Sequence, residues 1–255
     1  QDSVILSFGK PKTAIYAHMD SIGFTVKYNN EIIKIGGPVV KNGIELIGSD
    51  SKGKVEGKII KKNEKIFIDF KREIDRGTSL TFKMNFKEGK DYIQSSYLDN
   101  RLGVWNALKV AENLENGIIV FSCWEEHGGG SVGFLTNFIH TKYNISQALI
   151  SDITWITEGI KAGKGVVISL RDSGIPRRSF VNKIITVAKS HNINYQLEVE
   201  SSGGSDGNEI QRSPYAIDWC FIGAAEQNVH SPKEKVHKDD IKSMVEIYEM
   251  LMKEL

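Results

Sequence analysis

The sequence predicts an α/β protein: a three-layer αβα domain interrupted by a small all-β, barrel-like insert. Three observations predict it. From Ser95 onward, apolar strands alternate with helical stripes at the spacing of βα units. Between Phe24 and about Tyr92, short alternating runs separated by Gly and Asn carry no helical period. Several strands are apolar throughout and end on His, Asp or Glu, as central strands of a parallel sheet do when a site lies at their C-terminal ends.

In order, Val4 to Phe8 and Thr13 to His18 read as strands joined by the turn Gly9-Lys10-Pro11. The insert follows, with runs such as Ile32-Ile33-Lys34-Ile35, Ile44 to Ile47, Lys54 to Lys61, Lys65 to Phe70 and Ser79 to Phe86, enough for five or six strands. Asp99 to Leu114 carries a helical stripe through Leu102, Trp105, Leu108 and Ala111. Strand Gly117 to Trp124, helix Ser131 to His140 and strand Gln147 to Asp152 come next. Strand Gly165 to Leu170, helix Pro176 to His191 with Pro in its first turn, and strand Asn194 to Glu200 follow. A short helix near Asp206 to Gln211, strand Tyr215 to Ile222 and a closing helix Lys238 to Leu255 complete the chain. The domain is therefore discontinuous, 1–23 with 93–255, and the insert is 24–92.

With 255 residues, 40% hydrophobic and 25% charged, the chain has ordinary globular composition. Lys plus Arg is 33 against 32 for Asp plus Glu, a net charge of +1, which argues against nucleic acid as a partner. No apolar run is long enough for a membrane span, so no membrane partner is expected. Cys123 and Cys220 both fall in apolar runs and read as core thiols; with no secretory signal visible, this fits a cytoplasmic location. The first residue is Gln1, not Met, so an upstream segment is expected to have been removed or to lie outside this sequence.

The chemistry sits in five short segments: His18-Met19-Asp20, Asp99-Asn100-Arg101, Glu125-Glu126, Asp152 and His230-Ser231-Pro232. Two imidazoles, a bridging carboxylate, further carboxylates and one spare acid make the inventory of a site for two divalent ions, and so of a metal-dependent hydrolase. His18 and Asp20 are i and i+2 on an extended segment and face the same way, so Asp20 can accept the second ring N–H of His18. Asp99 alone would be a helix cap; among the other ligands it is the natural bridge. Arg101 either orients that carboxylate or is a surface charge. Glu125 and Glu126 close a buried strand, where acids are costly unless paired or metal-bound. Their side chains diverge, so one binds metal and the other moves a proton. Gly128 to Gly130 permit a sharp turn or a close backbone approach to substrate. His127 is a weaker candidate for substrate contact, and His140, His191 and His237 read as surface. Ser205-Asp206 reads as a cap for the short helix, with substrate contact as the alternative. Imidazole and carboxylate ligands without Cys suit Zn²⁺, Co²⁺ or Mn²⁺.

The wording and order of Ala17-His18-Met19-Asp20-Ser21-Ile22-Gly23-Phe24, Leu98-Asp99-Asn100-Arg101, Glu125-Glu126, Ser151-Asp152, Gly204-Ser205-Asp206 and Val229-His230-Ser231-Pro232 resemble the M42 family of metallo-aminopeptidases over nearly the whole chain, including the position of the β insert. The resemblance implies a di-metal peptidase domain with one ion, zinc first among the candidates, on His18, Asp99 and Asp152. The second would be on Asp99, Glu126 and His230. It implies Glu125 as general base and Asp20 as the residue orienting His18. N-terminal residues of peptide substrates would be released through a hydroxide bridging ions about 3.5–4 Å apart. It also implies homo-oligomers built through the insert, from dimers to tetrahedral dodecamers. The chain is short for the family, lacks its usual N-terminal helix, and carries His127 and a Gly-rich loop where an apolar version is common. A di-metal amidase or carboxypeptidase on the same scaffold is the competing enzyme reading. A non-catalytic assembly protein is disfavoured because no ligand position has been lost. A glycosidase ranks last, since it leaves both His and Asp152 without work.

Overall fold

The structure, a computed structural model, describes residues 2–255. The strands are β1 (Val4–Phe8), β2 (Thr13–His18), β3 (Gly23–Val26), β4 (Ile32–Ile35), β5 (Glu45–Asp50), β6 (Gly53–Lys62), β7 (Lys65–Asp69), β8 (Ser79–Phe82), β9 (Lys87–Glu88), β10 (Tyr92–Ser95), β11 (Gly117–Ser122), β12 (Gln147–Trp155), β13 (Val166–Arg171), β14 (Tyr195–Val199), β15 (Asp218–Gln227) and β16 (Glu234–His237). The helices are α1 (Leu98–Ala111), α2 (Ser131–Tyr143), α3 (Arg178–Ser190), α4 (Gly207–Arg212) and α5 (Lys238–Glu254). No helix among the described residues is long and apolar enough to cross a membrane.

The strands form two sheets. The larger runs β1-β11-β2-β12-β15-β16-β10-β9, with β13 paired to β15 and β14. Its centre, β11-β2-β12-β15, is parallel. Both faces of that centre are covered, which is why β2 reads as an unbroken apolar run instead of alternating. Ile15 and Ala17 pack toward α1, α3 and α5, whereas Ala14 and Tyr16 pack toward α2 and α4. The smaller sheet, β4-β3-β8-β5-β6-β7, curls until its edges meet. Glu31 bridges Phe67, and the Ile68 N–H donates to the Asn30 carbonyl at 3.0 Å. Phe24, Leu46, Leu80 and Phe82 fill this nearly closed barrel, with Phe24 edge-on to Phe82.

In the sheet β11 lies between β1 and β2, an order that the sequence reading does not set. The structure departs from that reading in several places. β12 continues past Asp152 to Trp155, since its parallel register with β15 holds from Gln147–Asp218 to Trp155–Glu226. β9, β10 and β16 are additional edge-side strands, and all three belong to the larger sheet. β11 stops at Ser122: the Ser131 hydroxyl binds both the N–H and the carbonyl of Cys123, and Trp124 then turns with φ 73°. Cys123 is consequently half-buried and not a core thiol; Cys220 is fully buried, and both are free. His237 caps α5, its Nδ1 accepting the Asp239 N–H, and His140 Nδ1 bonds the Ile145 carbonyl, so both are structural and half-buried instead of free surface groups. His191 is exposed and pairs with Glu254.

Two positions give stability predictions. Gly103 lies in α1 where it crosses β12; a Cβ there would fall 2.1 Å from both Asn100 Oδ1 and the Ser151 carbonyl. Ala usually stabilises a helix relative to Gly; here overpacking reverses the sign. Gly103→Ala is expected to cost about 1–3 kcal/mol, roughly 2–12 °C in melting temperature by calorimetry. Asp240 is buried in the first turn of α5 and accepts the Gly163 N–H at 2.7 Å and the Gly165 N–H at 2.8 Å, one on each oxygen. Asn offers one acceptor, so Asp240→Asn should leave a buried N–H unpaired and lose about 1–3 kcal/mol in urea unfolding. An unchanged midpoint would mean that the loop at Gly163–Gly165 re-bonds elsewhere.

Candidate metal centre

β2 and β11 end side by side in parallel, with Ser122 opposite His18, and β12 carries Asp152 on the other flank of β2. Ligands collect at this C-terminal edge of an open α/β sheet. His18 is 1% exposed and Asp152 4%. Glu125 and Glu126 follow β11 on a 3₁₀ turn entered through left-handed Trp124. Asp99 opens α1 behind left-handed Tyr97, and Asp99 and Asn100 lie outside helical geometry, so Asp99 is not a helix cap. His230 itself sits at φ 60°. Three left-handed non-Gly residues next to or within the site cost about 1–3 kcal/mol each, a concentration typical of functional positions.

The five candidate metal ligands, His18, Asp99, Glu126, Asp152 and His230, converge together with Glu125. His18 Nε2 is 3.3 Å from Asp99 Oδ1 and 3.4 Å from Asp152 Oδ2. His230 Nε2 is 3.2 Å from Asp99 Oδ2 and 3.4 Å from Glu126 Oε2. Asp99 thus gives one oxygen to each imidazole. Glu125 Oε2 stands 3.9 Å from His18 Nε2. The sets His18–Asp99–Asp152 and Asp99–Glu126–His230 each present ligand atoms within 4.8 Å of one another.

Asp20 acts differently from the simplest expectation. The nearer acceptor to His18 Nδ1 is the Asp20 main-chain oxygen at 3.1 Å; its Oδ1 is at 3.6 Å. The Asp20 carboxylate accepts the N–H groups of Glu125 and Glu126 at 3.2 and 3.1 Å, tying the acidic turn to β2. Arg101 is exposed over the Tyr97 ring, a surface cation and not a partner of Asp99. His127 is exposed on the acidic turn.

Glu234 and Glu209 escaped the sequence reading, and Ser205-Asp206 has a different role from the cap expected there. Glu234 is buried, and its Oε2 accepts the N–H of Leu98 at 2.7 Å and of Asp99 at 3.4 Å, which fixes the segment bearing Asp99. Ser205 donates to Asp152 Oδ2 at 2.6 Å, and buried Asp206 accepts from Ser122, so this pair supports the site instead of capping α4 through a side chain. Glu209 accepts from Gly130 and Gly133, and a Cβ on Gly129 would strike it, so the Gly-rich loop is a tight turn. The small barrel also reaches in. The Val39 N–H donates to the His230 carbonyl at 2.9 Å, and a Cβ on Gly37 would come within 3.0 Å of His230 Nδ1.

The electrostatics fit a cation pair. Burial raises Glu125 to about 9 against the opposing pull of His18, with Asp152, Asp206 and Glu126 adding to the rise. Burial, then Asp99, raises Glu126 to about 8. Burial and the Asp99 charge likewise raise Asp152. Burial would lower His18, but Asp152 and then Asp20 and Asp99 raise it well above its usual value. Burial opposes ionisation of Asp99 too, and its bonds to His18 and His230 overturn this, holding it near 2. Among the described residues, Glu126 Oε1 is buried with no hydrogen-bond partner, and no Lys or Arg lines the cavity. Divalent charge would satisfy these oxygens and keep every acid ionised.

Comparison with known proteins gives the family. The family model for M42 glutamyl aminopeptidase matches residues 49–247. The chain belongs to that family. A curated Acetivibrio thermocellus protein described as "Putative aminopeptidase" is 32% identical to this M42 chain over 167 residues, 62% of the chain and 50% of the relative. The chain therefore spans about half the length of that relative. An aminopeptidase from the archaeon Desulfurococcus kamchatkensis has the same fold, with TM-score 0.89 at 22% identity over 99% of this M42 chain and 82% of the archaeal one. The TET1 peptidase of Pyrococcus horikoshii, described as assembling into a tetrahedron or a large octahedral shell, has TM-score 0.84 at 24% identity over 99% and 87% of the two chains.

Proposed function

We propose that the protein is a dinuclear metallo-aminopeptidase that removes N-terminal residues from peptides. The observation that carries this is the split of the Asp99 carboxylate, one oxygen toward His18 and Asp152, the other toward His230 and Glu126. Two divalent ions held by these triads, zinc foremost with cobalt or manganese as alternatives, would polarise the scissile carbonyl and lower the pKa of an attacking water. Glu125 takes the proton at its carboxylate and returns it to the leaving amine. Asp20 positions Glu125 by holding its N–H and orients His18 through the main-chain oxygen. Glu234 and Ser205 keep Asp99 and Asp152 in place.

The insert, residues 24–92, would serve self-assembly and access. Its Gly36–Val39 segment lies against His230 and Glu126, so the barrel borders the site. Met84, Phe86, Trp105 and Leu108 are large, apolar and exposed, on the barrel side and on α1 respectively, the composition expected where copies of the chain meet in a homo-oligomer.

The test is hydrolysis of aminoacyl p-nitroanilides before and after chelation, and after Zn²⁺, Co²⁺ or Mn²⁺ is restored. Release that disappears with chelator and returns with metal is expected. Hydrolysis of N-acyl amino acids in its place would transfer the site to amidase chemistry.

A further inference from the structure

The candidate metal residues form only one end of their cavity. It measures about 260 Å³ and continues past Asp152 to Thr154, Thr157, Asp172, Glu198 and Glu200. Glu198 is 4% exposed and Asp172 7%. The Thr154 and Thr157 hydroxyls donate to Glu198 and Glu200, and the Gly174 N–H donates to Asp172. No Lys, Arg or His forms an ion pair with these three acids among the described residues, and none lines this end.

We propose that this far wall receives the side chain of the substrate's N-terminal residue and selects a cationic one, Lys or Arg. The inference rests on the aminopeptidase reading and names the substrate class of that site. Charge decides it. At the near end, two divalent ions would balance Asp99, Glu125, Glu126 and Asp152. At the far end, Asp172, Glu198 and Glu200 have no cationic partner among the described residues. Burial raises both Asp172 and Glu198, as it does for carboxylates that lack a counter-charge. A cation entering the wall lets them ionise in a charge-assisted bond. A Leu side chain leaves them desolvated, and a Glu side chain adds like charge beside them.

Distance agrees. Thr154 is two residues beyond Asp152 on β12 and on the same face, about 6.6 Å along the strand. A substrate whose α-amine sits at the near end must span that gap, which the four-carbon stem of Lys or the longer Arg does and Ala does not. Trp155, 48% exposed, lines the same cavity and offers the stem an apolar surface.

The experiment compares kcat/KM of the metal-loaded protein for Lys-, Arg-, Leu-, Ala- and Glu-p-nitroanilide, in wild type, Glu198→Gln and Glu200→Gln. Lys and Arg should exceed Leu by at least about 10-fold, with Glu slowest, and the Lys/Leu ratio should collapse toward one in Glu198→Gln through KM. Glu200 is only half-buried, so Glu200→Gln supplies the same readout if Glu198→Gln does not fold. A preference for Leu or Glu, or an equal loss on every substrate, overturns the inference and leaves the aminopeptidase reading standing. If no anilide is hydrolysed, that reading fails on its own, and calorimetry with L-lysinamide against L-norleucinamide still decides: equal binding by wild type rejects a cation-selective wall.

Discussion

Replacing Glu125 with Gln is expected to lower turnover by about 10²–10⁴-fold while two metal ions remain bound. The side chain has the shape and hydrogen-bond reach of Glu but cannot exchange a proton, so the variant separates proton transfer from packing. Glu125 suits that separation because its Oε2 is 3.9 Å from His18 Nε2, whereas Asp99 and Asp152 lie closer to the same nitrogen at 3.3 and 3.4 Å. It belongs to neither of the two triads, although its carboxylate also lies within 4.8 Å of the ligand atoms of His18 and Glu126. Its N–H bond to Asp20 survives the substitution, so the turn should keep its form. The measurement is kcat together with metal content by atomic spectroscopy. Near-normal turnover would shift the proton to another acid, and Asp206 is the alternative the geometry supplies. It is buried, raised to about 7 by desolvation against the pull of His18, and in contact with Ser122 behind the site.

The catalytic sheet was legible because its central strands carry their own signature. Thr13 to His18 and Gly117 to Ser122 are buried along their whole length, so an unbroken apolar run marks each strand and its end marks the site. The family-scale order of His18, Asp99, Glu125, Glu126, Asp152 and His230 was equally readable, since ligands at successive strand ends converge once the strands are parallel. What escaped depends on partners far along the chain. Glu234 finds the Leu98 and Asp99 N–H groups more than a hundred residues away, and Ser205 reaches Asp152 across 53 residues. Locally, Ser205-Asp206 before a helix has the composition of a cap, and no local signal distinguishes that from a buried support. β10 and β16 are short and partly polar because they pair near the rim of the sheet, where the alternation of four residues is too brief to stand out. The acidic far wall is spread over β12, the loop after β13, β14 and the loop after it, so its charge appears only when those elements are brought together.

Asp99→Asn should abolish binding of both ions, whereas His230→Ala and Asp152→Asn should each remove only one. Asp99 is the sole residue common to the two triads, and the substitution leaves each with two protein ligands at nearly unchanged volume. The loss can be read without catalysis. Filling one site at 100 times its dissociation constant stabilises the folded chain by about 2.7 kcal/mol. In a chain of this size, each site therefore adds roughly 5–11 °C to the melting temperature. Wild type should show two such increments on metal addition, the single-triad variants one, and Asp99→Asn none. The apo variant should still fold, because Glu234 holds the Leu98 and Asp99 main-chain N–H groups whatever the side chain at 99. Equal loss from all three substitutions would mean that the ions bind as one cooperative unit. Retention of one ion by Asp99→Asn would mean that the carboxylate belongs to a single site. Only that second outcome would require the bridging role, and the dinuclear mechanism that depends on it, to be withdrawn.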